Sequence, residues 1–244
     1  MFTEFIIHLL KMLGVSLIMD FGTDEVRVGK YTISVIHNDQ YIGRCLRQGI
    51  EWDGWMRQDL PHLVKPGTDI LDIGGNIGWN SVMFSDYSNV HCFEPLYHKV
   101  VSKNVNQNSL INSVTVHPYG LSDVNTSMPI FTPKRTFLNQ CNYGGTTLTP
   151  PNIDDYDLAS NIELKRLDDV YNGKPSLIKL DVELHEFEVL KGAVNTITKH
   201  RPSMYIEILD GFEDKVTPFM KDLGYQMIPR PENNYLFIYP GNHS

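Results

Sequence analysis

The stretch "ILDIGGNIGWN", residues 70–80, runs from an apolar segment through glycines into a helix-like sequence. A strand that enters a helix through such a turn brings its backbone close to a ligand, and glycine allows the closest approach. A dinucleotide-binding fingerprint needs glycines at its first, third and sixth positions. Counting from Gly74, this chain has Asn76 and Trp79 instead, so the stretch predicts a different cofactor at the first strand of an α/β sheet.

The pattern that remains, Asp72-x-Gly74-x-Asn76-x-Gly78, is the form expected where the amino acid and sulfonium of S-adenosylmethionine cross the turn. The second strand ends in "CFEP", and its glutamate can accept hydrogen bonds from both ribose hydroxyls, although NAD enzymes place an acid similarly. The "GLSD" after the third strand either meets the adenine edge or forms an ordinary turn. The predicted cofactor contacts are Asp72, Gly74, Gly75, Asn76, Gly78, Glu94, Ser122 and Asp123.

Strands and helix-like stretches alternate along the chain. The apolar strands "DILDIGG", "NVHCFEP", "SVTVHPYGL", "SLIKLDV" and "SMYIEIL" are separated by stretches such as "EFEVLKGAVNTITKH". This alternation predicts an α/β fold with a doubly wound, mostly parallel sheet. The segment "YQMIPRPENNYLFIYP" predicts a C-terminal hairpin with an antiparallel last strand, which favours a Rossmann-like class I methyltransferase over a dehydrogenase.

The break "KPGT" divides the chain into an N-terminal extension, residues 1–64, and a methyltransferase domain, residues 65–244. Residues 25–48 alternate apolar and polar positions and predict short antiparallel strands. Residues 5–19 are apolar but short, and they lack the flanks of a signal peptide. We therefore expect this segment to form a helix that packs on the domain or on a second copy in a homodimer, without stable membrane insertion.

Composition excludes several classes of partner. The 244 residues carry a formal net charge of −8 with the charges scattered, so nucleic acid is not an expected partner. Cys45, Cys92 and Cys141 are odd in number and far apart, with no Cys-x-x-Cys pair. They argue against structural zinc and for a reducing compartment, the cytoplasm.

Seven motifs occur in order between about residues 66 and 210: "DIGGNIG", "FEP", "GLSD", "NYGGTTL", "LKRLDD", "IKLDVELHEFEVLKGA" and "RPSMYIEI". In this set the chain resembles the FkbM family of S-adenosylmethionine-dependent methyltransferases. The resemblance implies a class I methyltransferase fold and O-methylation of hydroxyls on sugars or polyketide-like natural products. Leu184 departs from the family, whose members usually carry glycine there. Either the backbone at Leu184 is not in a glycine-only conformation, or the site is locally reshaped.

The stretch "LIKLDVELHEFEVLKG", residues 177–192, places several carboxylates after the fourth strand. Asp181 is expected to face the methyl group, because ligands gather at the carboxyl ends of parallel strands. Lys179 lies on the same strand face and can keep it ionised. Glu183 is expected with Glu186 in the first turns of the next helix, facing the cleft. The predicted catalytic residues are Asp181, Lys179, Glu183 and Glu207.

Asp181 and Glu207 end adjacent strands and can converge beside the methyl donor. Converging carboxylates either share a proton, with one acting as a base, or bind a divalent cation such as Mg²⁺ or Mn²⁺. In the alternative, Glu207 pairs with a basic residue such as Lys179 or Arg201. The sequence thus predicts catalysis that depends on Asp181 and Glu207, and it names both as metal ligands.

The sequence favours an O-methyltransferase that acts on a hydroxyl of a sugar, a glycan or a similar small molecule. The fifty or so residues between the third and fourth strands are interpreted as a substrate-facing insert. Leu184 leaves open a second function, a methyltransferase-fold protein that binds without turnover. An N-methyltransferase of nucleic acid is a weaker rival, since the chain lacks the Asn/Asp-Pro-Pro-aromatic tetrapeptide.

Overall fold

The computed structural model describes residues 21–209 and 213–242. The strands are β1 (Thr23–Val28), β2 (Tyr31–Ile36), β3 (Asp69–Ile73), β4 (Asn89–Phe93), β5 (Val114–His117), β6 (Gly120–Leu121), β7 (Thr126–Pro133), β8 (Tyr156–Lys165), β9 (Pro175–Leu180), β10 (Ser203–Glu207), β11 (Gln226–Pro229) and β12 (Asn234–Ile238). The α-helices are α1 (Ile42–Arg47), α2 (Leu60–Leu63), α3 (Trp79–Phe84), α4 (His98–Asn106), α5 (Leu167–Val170), α6 (Glu186–Gly192), α7 (Val194–His200) and α8 (Glu213–Asp222).

The central sheet has seven strands in the order β11-β12-β10-β9-β3-β4-β5. Five neighbouring strands, from β10 to β5, run parallel, and β12 runs antiparallel to both β10 and β11. This topology confirms the predicted doubly wound α/β sheet with an antiparallel C-terminal strand. Ile73, Leu180 and Ile206 lie in register on adjacent strands, so the residues that follow them meet at one edge of the sheet.

Apolar side chains cover both faces of the sheet. Ile70, Leu177 and Tyr205 belong to one core cluster, whereas their strand neighbours Leu71 and Ile178 belong to a cluster on the opposite face. Both clusters are almost fully buried. A strand covered on both faces has no polar alternation, which is why these segments are continuous apolar runs in the sequence.

The described part of the N-terminal extension packs on the sheet's helices. β1 and β2 form the expected antiparallel hairpin, and Asn104 of α4 holds Ser34 by accepting from its backbone N–H and donating to its carbonyl, at 2.6 and 3.0 Å. The prediction of strands up to residue 48 is wrong at its end. There the chain forms α1, because the buried Asp39 carboxylate accepts the Gly43 N–H at 2.7 Å in the first turn.

Residues 5–19, predicted as a packed helix, lie outside the described residues. Within the ranges that the structure describes, no helix is long and apolar enough to cross a membrane.

The insert between the third and fourth predicted strands forms a small sheet of its own. β7 pairs antiparallel with β8, and β6 pairs parallel with β8. The predicted third strand "SVTVHPYGL" is therefore divided into β5 and β6, which lie in different sheets around Pro118, a residue with no N–H to donate. The predicted long helix after β9 likewise divides into α6 and α7 at Ala193.

Candidate active site

The glycine turn after β3 is closed by tight contacts with neighbouring elements. Gly74 has φ +87°, and a Cβ there would lie 1.7 Å from the Asp181 carbonyl oxygen. Gly78 has φ +82°, and a Cβ there would lie 2.7 Å from a methyl group of Val101 on α4. These two positions require glycine both for conformation and for space. Gly74 lets the turn lie against the end of β9, and Gly78 lets it lie against α4.

Asp72 lies beneath this turn and is fully buried. One of its oxygens accepts the Ser81 hydroxyl of α3, and among the described residues the other has no hydrogen-bond partner. Burial raises the pKa of Asp72, whereas the Lys179 charge lowers it. The side chain is not part of the cavity wall described below, so its contact with α3 indicates a role in holding the turn.

Glu94, at the end of β4, is 5% exposed and holds three backbone N–H groups. Its Oε1 accepts from Leu96 and Tyr97 at 2.7 and 2.8 Å, and its Oε2 accepts from Asn76 at 2.9 Å. Burial raises the pKa of Glu94 to about 7, against the effect of these donors. A carboxylate offers about four acceptor positions, so Oε2 retains one for a ligand in the adjoining cavity.

A cavity of about 370 Å³ extends along the carboxyl ends of the strands, within the size range of small-molecule sites. Gly74, Asn76 and Glu94 line one part of it, and Asp181, Glu183 and Glu207 line another. The insert contributes Ile130, Asn142, Gly144, Thr146, Leu148, Ile162 and Leu164. The N-terminal extension contributes Tyr41, Ile42 and Trp52. Two segments outside the parallel sheet therefore complete the cavity.

The cavity fits S-adenosylmethionine at the part lined by Glu94. The open acceptor position on Glu94 Oε2 suits a ribose hydroxyl, and Phe93, Pro95 and Leu121 supply apolar surface beside it. Ser122 and Asp123 do not belong to this wall as described. The Ser122 hydroxyl lies 2.9 Å from His185 Nε2, and Asp123 pairs with Lys191 at 2.6 Å. Their contact with adenine stays a prediction.

Lys179 and Asp181 form an ion pair at 2.7 Å, in which the lysine side chain is 3% exposed and the aspartate side chain is 27% exposed. Burial would lower the pKa of Lys179, but the negative charges of Asp181, Asp53 and Asp72 raise it well above its usual range. Burial likewise raises the pKa of Asp181, and Lys179 outweighs this effect and lowers it. Asp181 is thus held ionised at the cavity, as expected from the strand pattern.

The Glu183 and Glu207 carboxyls lie beside Asp181, with one oxygen of each within 4.8 Å of the others. Burial, together with the Asp181 charge, raises the pKa of Glu207 to about 10 and that of Glu183 to about 8. A hydrogen bond between Glu207 and Asp181 accompanies these shifts. These shifts favour the ionised form of Asp181 and the protonated forms of Glu183 and Glu207.

The placement of Glu183 in a helix is wrong. α6 begins at Glu186, and Glu183 and Leu184 form a left-handed turn before it, with φ +53° and +76°. The Thr147 hydroxyl donates to the Glu183 carbonyl at 2.6 Å, and the Glu186 carboxylate accepts the Val182 N–H at 3.1 Å. Leu184 thus occupies a backbone conformation that favours glycine. This excludes the explanation that the family glycine is replaced because the backbone at this position is not in a glycine-only conformation.

Sequence reasoning missed the cavity residues of the extension. Trp52 and Tyr41 line the wall, and the Trp52 carbonyl accepts the Trp79 indole N–H at 2.7 Å. Asp53, next in the chain, is buried and accepts from Asn80 at 2.9 Å. Local sequence carries no signal for these contacts, because they join segments 27 residues apart. In the insert, "NYGGTT" was a usable signal, since Thr146 lines the cavity and lies 2.7 Å from the Tyr97 hydroxyl.

Comparison with known proteins identifies a family that this chain matches. Residues 72–227 match the family model described as the methyltransferase FkbM domain. The hexuronic acid methyltransferase AglP of Haloferax volcanii is 31% identical over 132 residues, which cover 53% of this chain and 52% of that protein. The chain therefore spans about half the length of the curated relative that it matches.

Two solved structures overlap with this one. The FkbM methyltransferase from Methylobacillus flagellatus has a TM-score of 0.49 and 20% identity, covering 70% of this chain and 43% of that one. An rRNA methylase from Streptococcus thermophilus has a TM-score of 0.45 and 11% identity, covering 75% of this chain and 92% of that one.

The family match extends from the glycine turn to the C-terminal hairpin and comprises well over half of the 244 residues. The matched residues are those of a methyltransferase domain, and the family implies S-adenosylmethionine as the methyl donor. We conclude that the chain belongs to the FkbM methyltransferase family.

Proposed function

We propose that the protein transfers a methyl group from S-adenosylmethionine to a hydroxyl of a sugar, a glycan or a similar small molecule. The observation that carries this proposal is the ionised Asp181 carboxylate in the cavity wall, beside the glycine turn. An alcohol is a weak nucleophile until a base takes its proton. Asp181 supplies that base at the place where the fold family binds its donor.

In the proposed reaction, bound S-adenosylmethionine supplies an activated methyl carbon on a sulfonium. Asp181 takes the hydroxyl proton as the acceptor oxygen forms its bond to that carbon, and the carbon–sulfur bond breaks to leave a neutral thioether. Lys179 keeps Asp181 ionised before the reaction. The hydrogen bond between Glu207 and Asp181 helps to hold the Asp181 carboxylate in position for the acceptor hydroxyl.

A divalent cation offers a second way to activate the hydroxyl. The oxygens of Asp181, Glu183 and Glu207 lie close enough to one another to share an ion, and carboxylate oxygen is the donor that Mg²⁺ and Mn²⁺ prefer. Such an ion would lower the pKa of a bound hydroxyl. Turnover measured with exhaustive chelation distinguishes the two routes: lost activity supports the cation, and intact activity leaves Asp181 as the base.

The acceptor hydroxyl is proposed to belong to a neutral molecule. AglP is named for hexuronic acid, but the cavity wall of this chain contains neither Lys nor Arg among the described residues. A uronate placed near Asp181 would be repelled without a cationic partner. The lack of Lys and Arg in the described cavity wall and the net charge of −8 also argue against nucleic acid as the acceptor.

A turnover assay tests the function. Neutral glycosides and their uronate counterparts are incubated with labelled S-adenosylmethionine, and methyl transfer is counted on the recovered sugar. We expect transfer to neutral glycosides above transfer to uronates. Donor binding without transfer to any hydroxyl would favour the alternative, a binding protein without turnover.

Self-association through the N-terminal extension stays a prediction. A reducing compartment also stays a prediction, and the three free cysteines are consistent with it.

A further inference from the structure

A second cavity, of about 440 Å³, lies beside the catalytic one. Leu148 and His185 line both cavities and so form the boundary between them. The apolar lining of the second cavity comes from the insert, from the turn before α6, and from α6 and α8. Its apolar residues are Met128, Leu148, Pro151, Leu184, Phe187 and Val216.

Two consecutive residues of the turn before α6 line different cavities. Glu183 lines the catalytic cavity, and Leu184 lines the second one. Leu184 holds φ +76°, where glycine would be favoured, so the chain keeps a branched apolar side chain there against its backbone preference. Strain of this kind is retained where the side chain has a use.

The polar residues that line the second cavity do not favour a ligand of either charge. The Glu186 carboxylate already accepts the Val182 N–H and is buried. Lys215 is accompanied by Glu188 in the same lining. An occupant therefore gains mainly from apolar contact, and the two shared lining residues place it beside a group in the catalytic cavity.

Resting on the proposed function, we propose that the second cavity binds an apolar alkyl or aryl substituent of the acceptor, attached close to the hydroxyl that is methylated. The hydroxyl lies at Asp181, and the substituent extends past Leu148 and His185 to contact Leu184 and Met128. The site then selects acceptors that carry such a group over the same sugar without it.

The test compares methyl and octyl β-D-glucopyranoside below the micellar concentration, in the presence of S-adenosylhomocysteine. Binding is followed by the ¹³C-methyl signal of Met128, with buried Met83 in another core cluster as the internal reference. We expect the octyl glycoside to bind at least tenfold more tightly and to shift Met128 but not Met83.

Thr149→Trp fills the second cavity without changing the catalytic one. Thr149 is exposed and lines only the second of these two cavities, and its hydrogen bond to Thr147 uses the backbone N–H. The octyl preference should fall below about twofold in this variant. Thr198→Trp, at an exposed position of α7, is the matched control and should keep the preference. Equal binding of both glycosides by the wild type, or a preference that survives Thr149→Trp, overturns the proposal.

Failure of the proposed function has a different signature. If neither glycoside binds, the sugar is the wrong acceptor, and n-octanol alone then tests the cavity through the same Met128 signal. A shift that Thr149→Trp abolishes and Thr198→Trp preserves supports the apolar site. An unmoved Met128 signal at the solubility limit of octanol overturns it.

Discussion

Glu94 and Glu207 each end a parallel strand of the same sheet, and both face the same cavity. Glu94 is surrounded by donors, since three backbone N–H groups point at its carboxylate. Glu207 is surrounded by acids, with Asp181 and Glu183 within 4.8 Å. The pKa of Glu94 is raised to about 7 and that of Glu207 to about 10, in both cases first by burial.

The difference shows that position in the fold does not by itself decide what a strand-end carboxylate does. Donors around Glu94 stabilise the folded chain and leave an acceptor position for a ligand. Acids around Glu207 oppose its ionisation and reduce stability at neutral pH. A destabilising cluster of this kind is expected where it serves chemistry, and the predictions below test this contrast in order of expected effect.

The largest effect is expected for Asp181→Asn. Loss of the base should lower the rate of methyl transfer by about 10²- to 10⁴-fold, the usual contribution of general base catalysis. Single-turnover kinetics on the neutral glycoside acceptor measures it. Affinity for S-adenosylhomocysteine should stay near that of the wild type, and exposed Asp222→Asn on α8 is the matched control. Near-normal transfer by a folded Asp181→Asn protein would mean that the acid cluster does no chemistry.

Glu94→Ala should weaken S-adenosylmethionine binding by about 10- to 100-fold, since a hydrogen bond to a charged group contributes about 1.5–3 kcal/mol. Calorimetric titration measures the affinity. The same change leaves three backbone N–H groups without their acceptor, so the ligand-free protein should also melt at a lower temperature. Glu94→Gln keeps one acceptor oxygen, so its affinity for S-adenosylmethionine should lie between those of the wild type and Glu94→Ala. Undiminished affinity in Glu94→Ala would remove Glu94 from the cofactor site.

Glu207→Gln should stabilise the fold, whereas Glu94→Ala should destabilise it. A carboxyl with a raised pKa holds more protons folded than unfolded between pH 4.5 and about 10, so its contribution to wild-type stability falls as pH rises through that window. The amide does not titrate, and its advantage should grow with pH to on the order of 1–2 kcal/mol at pH 8, reduced from the full shift by partial solvent exposure.

Urea unfolding of wild type and Glu207→Gln at pH 5, 7 and 9 measures this difference. If the stability advantage of Glu207→Gln over the wild type narrows with increasing pH, the raised pKa assigned to Glu207 is contradicted. The Glu207 carboxylate would then be stabilised by its surroundings, as the Glu94 carboxylate is by its donors.

The smallest effect concerns Leu184. A non-glycine residue in the left-handed region costs about 1–2 kcal/mol, and glycine loses about 0.5–1 kcal/mol to its unfolded-state freedom. Leu184→Gly should therefore be more stable than Leu184→Ala by about 0.5 kcal/mol, measured from paired denaturation curves. The usual order of these two residues, with alanine more stable, would show that the turn does not hold the strained conformation.

Sequence reasoning predicted which acids meet at the sheet edge better than it predicted the local structure that holds them. Asp181 and Glu207 could be predicted to converge, because a parallel register places successive strand ends together. The left-handed turn at Glu183 and Leu184 could not be predicted, since its local sequence is helix-like and its geometry depends on Thr147 from the insert and on Glu186. Cavity residues from the extension, such as Trp52, were also missed.

The sequence alone determined the parallel sheet, the glycine turn and the strand-end acids, because hydrophobic runs and glycine conformations are properties of short segments. Tertiary structure decided which acid is ionised, since that depends on whether a strand end meets Lys179, backbone N–H groups or another carboxylate. It also decided the walls of both cavities, which the extension and insert complete from distant parts of the chain. Charge and shape at the site arise from contacts between segments, and a local pattern does not contain them.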